Sequence, residues 1–324
     1  MSIGLLLPQL GELDPVEVAV TAEALGYESV WAPELWGTSS AVKLTEIATR
    51  TESIDLGTAI MNVFSRTPAV LAMTAVTLDQ VSEGRFTLGV GTSTPKIVED
   101  LHGMAFDRPV RRAHETIEAV QAFTRGEGRV DYDGQLFELA DFPSLDHEVP
   151  IYHAALGPAN RRVVGRLCDG WIPHNVPFPN LERAFETVET AAREAGRDPS
   201  SIDVAPWIPA AVSEDHDEAM DAIRGHVAYY VGSGEGYRKA VGEMFPDGAD
   251  AVAENWRAGD RGEATAAVTD EMVDALGVAA TPETAQDRLA ELFDGSIIDR
   301  PTLVVPNNAV DSLGEQTVQA FAPG

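Results

Sequence analysis

Short apolar runs alternate with amphipathic stretches along the first half of the chain, and this alternation sets the expected elements. Residues 3–7 are an apolar run closed by Pro8 and predict a first strand. Asp14-Pro15-Val16-Glu17 reads as a helix start, with Asp14 as N-cap, Pro15 at the first helical position and Glu17 closing a capping box. Val16, Ala19, Val20 and Ala24 follow at helical spacing until Gly26. The same logic predicts a strand over 29–32, a helix over 41–50 and a strand over 54–60. A helix then opens at Thr67-Pro68, and a fourth strand spans 86–91. After a break the pattern resumes with strand 151–155, helix 160–167, strand 171–172, helix 181–194, strand 202–205 and strand 302–305.

Strands that are apolar throughout are buried on both faces, as in a parallel sheet. Eight of them joined by helices predict an α/β fold of the closed (β/α)8 TIM-barrel class with insertions, in preference to a doubly wound sheet. Two stretches interrupt the alternation. Residues 126–150 contain Asp133-Gly134 and read as a surface hairpin insertion. Residues 232–280, rich in Gly, Ala and acid with Tyr229, Tyr230 and Tyr237 near their start, read as a mostly helical insertion. The 324 residues are thus expected to form a single domain over 1–324.

Charge narrows the partners. The chain has 52 acidic and 23 basic residues, a formal net charge of −29. Nucleic acid and anionic membrane are excluded as partners, because both need a basic surface. The acid excess fits a protein adapted to high salt, where ions screen the self-repulsion. Cys168 is the sole cysteine, so no internal disulfide and no cysteine metal cluster can form. The N-terminus lacks a basic leader, and a cytoplasmic location is expected.

In a barrel the C-terminal ends of the strands build the site. Here these are Pro8-Gln9, Pro33-Glu34-Leu35-Trp36, Ala59-Ile60-Met61-Asn62, Gly91-Thr92-Ser93-Thr94, Ala155-Leu156-Gly157-Pro158, Pro173-His174-Asn175 and Pro306-Asn307-Asn308. They lack a metal-binding set and a nucleophile triad, and suit a flat organic cofactor beside a small-molecule substrate. Ala155-Leu156-Gly157-Pro158-Ala159-Asn160 leads a strand into a helix and reads either as a phosphate-holding helix start or as a plain βα turn. His174, just past a strand end, is a candidate catalytic contact, whereas His153 lies inside a strand as a wall residue. His226 falls in a helical context to which no role is assigned.

Gly57-Thr58-Ala59-Ile60, Arg66-Thr67-Pro68 and Leu78-Asp79-Gln80-Val81-Ser82-Glu83-Gly84-Arg85-Phe86 together resemble the bacterial luciferase-like superfamily. Trp31-Ala32-Pro33-Glu34-Leu35-Trp36-Gly37 and Gly91-Thr92-Ser93 are most similar to its coenzyme F420-dependent oxidoreductase branch. The resemblance implies hydride transfer between C5 of the deazaflavin and a small organic substrate, a methylene-pterin or folate being one candidate. It also implies a cis peptide at Ala59-Ile60 behind the ring, with Asn62 near it. Thr92 and Ser93 would touch the cofactor, and Ala155, Gly157 and Pro158 would hold its phosphate end. Arg66 would anchor its loop or bind substrate. Two positions depart from the branch: Glu34 stands where relatives place a histidine, and Thr94 where the sugar-phosphate enzyme has a glutamate. Glu34 is therefore either a catalytic acid/base or a carboxylate that holds a loop. The alternatives are an FMN-dependent monooxygenase and a flavin-binding barrel without turnover. A homodimer through the helices after the second and third strands is expected.

Overall fold

The computed structural model describes residues 2–8 and 13–323, so Gln9 of the first strand end lies outside the described residues. Seven strands are continuous: β1 (Gly4–Leu6), β2 (Ser29–Ala32), β3 (Asp55–Thr58), β4 (Phe86–Gly91), β5 (Ile151–Ala154), β6 (Gly170–Ile172) and β8 (Thr302–Val304). Between the last two, β7 runs in two stretches, Asp203–Val204 and Trp207–Val212, interrupted at Pro206. All neighbouring pairs are parallel. The first stretch of β7 pairs with β6 and the second with β8, which in turn pairs with β1, so the sheet closes on itself. Across the interruption Trp207 N donates to Pro173 O and Thr302 N to Pro206 O, both at 2.9 Å, which carries the ladder past the proline. The fold is a (β/α)8 barrel.

Helices follow each strand: α1 (Pro15–Ala24), α2 (Ser40–Arg50), α3 (Pro68–Val81), α4 (Pro109–Thr124), α5 (Pro158–Leu167), α6 (Leu181–Glu194) and α7 (His216–Ser233). Side chains cap three of them, α7 through Asp215, which accepts from Asp217 N at 3.1 Å. Asp14 accepts from Val16 N at 3.0 Å and Thr67 from Val70 N at 3.4 Å, caps that contribute about 1 kcal/mol each. The predicted capping box is only half made, because Glu17 pairs with Arg50 on α2 instead. Residues 129–133 and 138–143 pair as an antiparallel hairpin outside the barrel. After α7 come α8 (Glu235–Gly242), α9 (Pro246–Ala258), α10 (Arg261–Ala266) and α11 (Asp270–Leu276), and later α12 (Ala285–Phe293) and α13 (Asp311–Ala320).

Three details differ from the sequence reading. Strand β3 stops at Thr58 rather than running to residue 60, and Met61–Asn62 re-pairs with Val90 and Gly91 after a break. The seventh strand does not end at residue 205 but resumes through Val212. A proline in a strand pattern reads as a stop, yet here it falls where the ladder partner changes. Val278–Ala280, inside the stretch read as helical, adds a short parallel strand alongside Ala210–Val212.

The barrel interior is filled by Trp31, Ala59, Tyr152, Ile172 and Ala205. Trp31 and Tyr152 rings lie 5.8 Å apart, a contact worth about 1 kcal/mol beyond its burial. Thr58 Oγ1 both donates to Gly89 O (2.8 Å) and accepts from Gly89 N (2.9 Å), which clamps the end of β3 to β4. This rigid floor sets the height at which the site begins.

Candidate functional site

Above the floor the strand ends open into one cavity of about 1660 Å³. That exceeds the roughly 300–1,000 Å³ of an ordinary ligand pocket, and leaves room for a cofactor and a second molecule. The ends of β1 to β6 and β8 line it, together with Trp207 and the α7–α8 junction. Among the sequence-predicted site residues, Glu34, Ala59, Ile60, Thr92, Ser93, Ala155, Gly157 and His174 face this cavity, and Asn62 and Pro158 do not.

One wall is the β3–β4 end. The Ala59–Ile60 peptide is cis, and Ile60 and Ala59 present an apolar shelf. Beside it Thr92 and Ser93 line the cavity, with Ser93 in the left-handed region at φ 57°. A non-glycine residue held there is uncommon and clusters at functional sites. Asn62, expected near the cofactor, is turned away. Its Oδ1 accepts from Phe64 N (3.0 Å) and Ser65 N (2.7 Å), and its Nδ2 donates to His102 Nε2 (3.1 Å). The side chain builds the β3–α3 loop and has no free polar group for a ligand.

Glu34 takes the second of its two expected roles, a carboxylate that holds loops. Arg66 donates to both of its oxygens, through Nη1 to Oε1 and through Nη2 to Oε2 at 2.9 Å. Ser40 adds its backbone N–H (3.1 Å) and hydroxyl (2.8 Å) to Oε2. Burial pushes the carboxyl up, but the hydrogen bonds from Arg66 and Ser40 and the charge of Arg66 outweigh it. The carboxyl lies below its ordinary range. A carboxylate held ionised with its acceptor sites filled is not a proton donor at neutral pH. Glu34 ties the β2–α2 loop to the loop before α3, and Arg66 is the anchor of that loop.

The start of α5 forms a second wall. Gly157 is its N-cap residue without a capping side chain, so the first-turn amides are not satisfied by a local cap. A Cβ built on Gly157 would meet nothing within 4 Å, and its φ is an ordinary −83°. Neither backbone conformation nor protein packing therefore requires glycine here. The open space at a helix N-terminus suits an anionic group such as a phosphate. Pro158 sits in the first turn behind the wall. Asn160 lines the cavity beside Gly157, and its amide lies 3.4 Å from His153 Nε2, the other nitrogen of that fully buried ring facing Val90 O at 3.2 Å.

The third wall surrounds His174, which is buried and lines the cavity. Its Nδ1–H donates to Trp207 O (3.2 Å), leaving Nε2 to accept from the Nε2–H of His226 at 3.3 Å. Burial pulls His174 down to about 4, and burial together with the neighbouring His174 holds His226 well below its ordinary value. Both rings are neutral near pH 7 and both His174 nitrogens are engaged. His174, the candidate catalytic contact, lines the cavity as a fixed wall residue with neither ring nitrogen free. His226, given no role from sequence, is 4% exposed and orients it. The signal for that was available: Ala219, Ala222, Ile223, His226, Val227 and Tyr230 repeat at helical spacing and put His226 on the buried face of α7.

The chain is 27% identical over 305 residues to the 5,10-methylenetetrahydromethanopterin reductase of Archaeoglobus fulgidus, across 92% of this chain and 90% of that one. It is 28% identical over 233 residues to the F420-dependent glucose-6-phosphate dehydrogenase of Microbacterium testaceum, across 67% and 69% of the two chains. The solved structure of the coenzyme F420 dependent tetrahydromethanopterin reductase from Methanopyrus kandleri overlays with a TM-score of 0.81 at 25% identity, covering 99% of this chain and 97% of that one. Residues 13–300 match the luciferase-like monooxygenase family, and the chain belongs to it.

Proposed function

We propose that the protein is an F420-dependent oxidoreductase that transfers a hydride to or from a small organic substrate. The observation that carries this reading is the open α5 start at Gly157, joined in one cavity to the uncharged shelf at Ala59, Ile60, Thr92 and Ser93. That arrangement fits a flat ring with a phosphate-bearing tail. The F420 dependence of the Methanopyrus and Microbacterium enzymes supports the deazaflavin over other flat cofactors. When bound, F420 supplies the hydride-carrying carbon.

The protein's own residues do the rest. The α5 first-turn amides would hold the phosphate end. Ile60 and Ala59 would supply an apolar surface for the ring, and Thr92 and Ser93 would supply hydroxyls beside it. Glu34 and Arg66 stabilise the loops that form the cavity rim. The buried neutral histidines and the rings around them keep water from the opposite side, so that the bound partners meet in a fixed orientation. FMN remains the alternative cofactor, since the family description is that of monooxygenases.

Two further expectations join the proposal. Val42 on α2 and Val70 and Met73 on α3 are exposed, at 68%, 41% and 51%, and this adjacent apolar surface supports a homodimer. No helix among the described residues is long and apolar enough to cross a membrane, and the acid excess supports a salt-rich cytoplasm as the setting.

Titrating F420 into the wild-type protein and into Gly157→Phe, with deazaflavin fluorescence as readout, tests the proposal. Saturable binding by the wild type and a loss of more than about tenfold in the variant are expected, because the phenyl ring fills the space at the helix start. Absence of binding by the wild type overturns the F420 reading. Equal affinity in the two proteins overturns the α5 anchor.

A further inference from the structure

The end of α7 and the start of α8 bring two tyrosines against the His174 wall. The His174 ring is 4.5 Å from Tyr230 at 80° and 5.8 Å from Tyr237 at 89°, and the two tyrosines are 4.9 Å apart at 70°. Trp207 closes the other side, 5.7 Å from His174. These rings pack edge to face and form a corner whose outer surface lines the cavity.

The corner is built, not incidental. A Cβ on Gly234 would come within 2.7 Å of the Tyr237 ring, so only glycine at this helix junction lets the ring fold back against α7. Trp207 O fixes the tautomer of His174, and His226 fixes its remaining nitrogen. The hydroxyls of Tyr230 and Tyr237 have no hydrogen-bond partner among the described residues, although both side chains line the cavity. Burial raises both phenols, Tyr237 to about 12, so each remains a protonated hydrogen-bond donor.

We propose that this corner is the substrate-recognition subsite, and that it takes an uncharged, planar, conjugated carbonyl compound whose ring lies against Tyr230 and Tyr237 and whose oxygen accepts from a tyrosine hydroxyl. The inference rests on the oxidoreductase reading and names the substrate class for it. Charge argues against an anion. The corner offers no cation, and Lys239, the lysine on this side of the cavity, is exposed and lies 3.6 Å from Glu235. An anion there would trade its hydration for two neutral phenol donors and leave its charge uncompensated. Ring spacing argues against a cation held between aromatic faces, because centroids 4.5 and 4.9 Å apart already occupy one another's faces. A flat neutral ring on the outer surface keeps the aromatic contact, and its oxygen satisfies a donor that otherwise lacks a protein partner.

A matched set of probes tests this without cofactor: acetophenone, 4-acetylbenzoate and 4-acetylphenyltrimethylammonium, with affinities read by ligand-observed NMR. Acetophenone is expected to bind at least about tenfold more tightly than either charged analogue, the factor set by desolvating an unpaired charge. In Tyr230→Phe/Tyr237→Phe the acetophenone affinity should fall about fivefold through loss of the hydrogen bond, with F420 affinity unchanged. Tighter binding of a charged analogue, or an unaltered acetophenone affinity in the double variant, overturns the assignment. Should the double variant not fold, the probe ranking on the wild type and the single variant Tyr237→Phe decide the matter. Because the probes are read without cofactor, failure of the F420 reading shows separately in the cofactor titration.

Discussion

Single side chains decide which chemistry this cavity can perform. Glu34 sits where a proton donor was one expectation, but two guanidinium bonds and the Ser40 cap hold it ionised. His174 is neutral for the opposite reason, being buried without a carboxylate. That neutrality has a consequence for stability. The folded His174 titrates near 4 against 6.5 for the ordinary group, and His226 is shifted in the same direction. The unfolded chain therefore binds protons more readily between those values. The folded state keeps its full stability above the ordinary value and loses it as pH falls toward 4. Between about pH 7.5 and about pH 5 the His174 contribution alone should cost about 2 kcal/mol, in a range where most carboxylates stay ionised. Urea denaturation at the two pH values checks this, with His174→Phe expected to flatten the difference. A wild-type midpoint unchanged between them contradicts the buried neutral pair.

Elements show what was legible in the sequence and what was not. Apolar runs without alternation marked β2 and β4 to the residue, because a strand buried on both faces admits little else. The second stretch of β7 was hidden by Pro206, and Val278–Ala280 by its three small residues in a helical context. Of the candidate site, the strand ends were legible because barrel geometry places them together wherever they lie in the chain. Asn62 was placed too near the ligand and Glu34 was left open between two roles, since their hydrogen bonds to local loops are not visible in the sequence. The Tyr230–Tyr237 corner was missed as a site because α7 and α8 reach the cavity only through tertiary packing. The exposed apolar faces of α2 and α3 carry an element-level prediction. Val70→Asp/Met73→Asp should yield monomer by light scattering where the wild type yields dimer. A monomeric wild type, or a dimeric variant, contradicts that interface.

At the scale of the whole molecule, the net charge of −29 surrounds a cavity whose floor and shelf are uncharged. Some acid stands at the cavity's edge, as at Asp14, Glu17, Glu235, Asp311 and Glu315, and the rest acts on ligands through the long-range field. An anionic cofactor approaching this field is repelled at low ionic strength. The repulsion fades as the Debye length drops from about 10 Å at 0.1 M to about 3 Å at 1 M salt. Affinity should thus rise with salt, opposite to the usual behaviour of an anion-binding protein with a basic site. Paired titrations of F420 and FMN at about 0.1 M and about 1 M salt decide whether the deazaflavin is the cofactor. F420 is expected to bind more tightly than FMN at both concentrations and to gain affinity at the higher one. Preferential binding of FMN would contradict it.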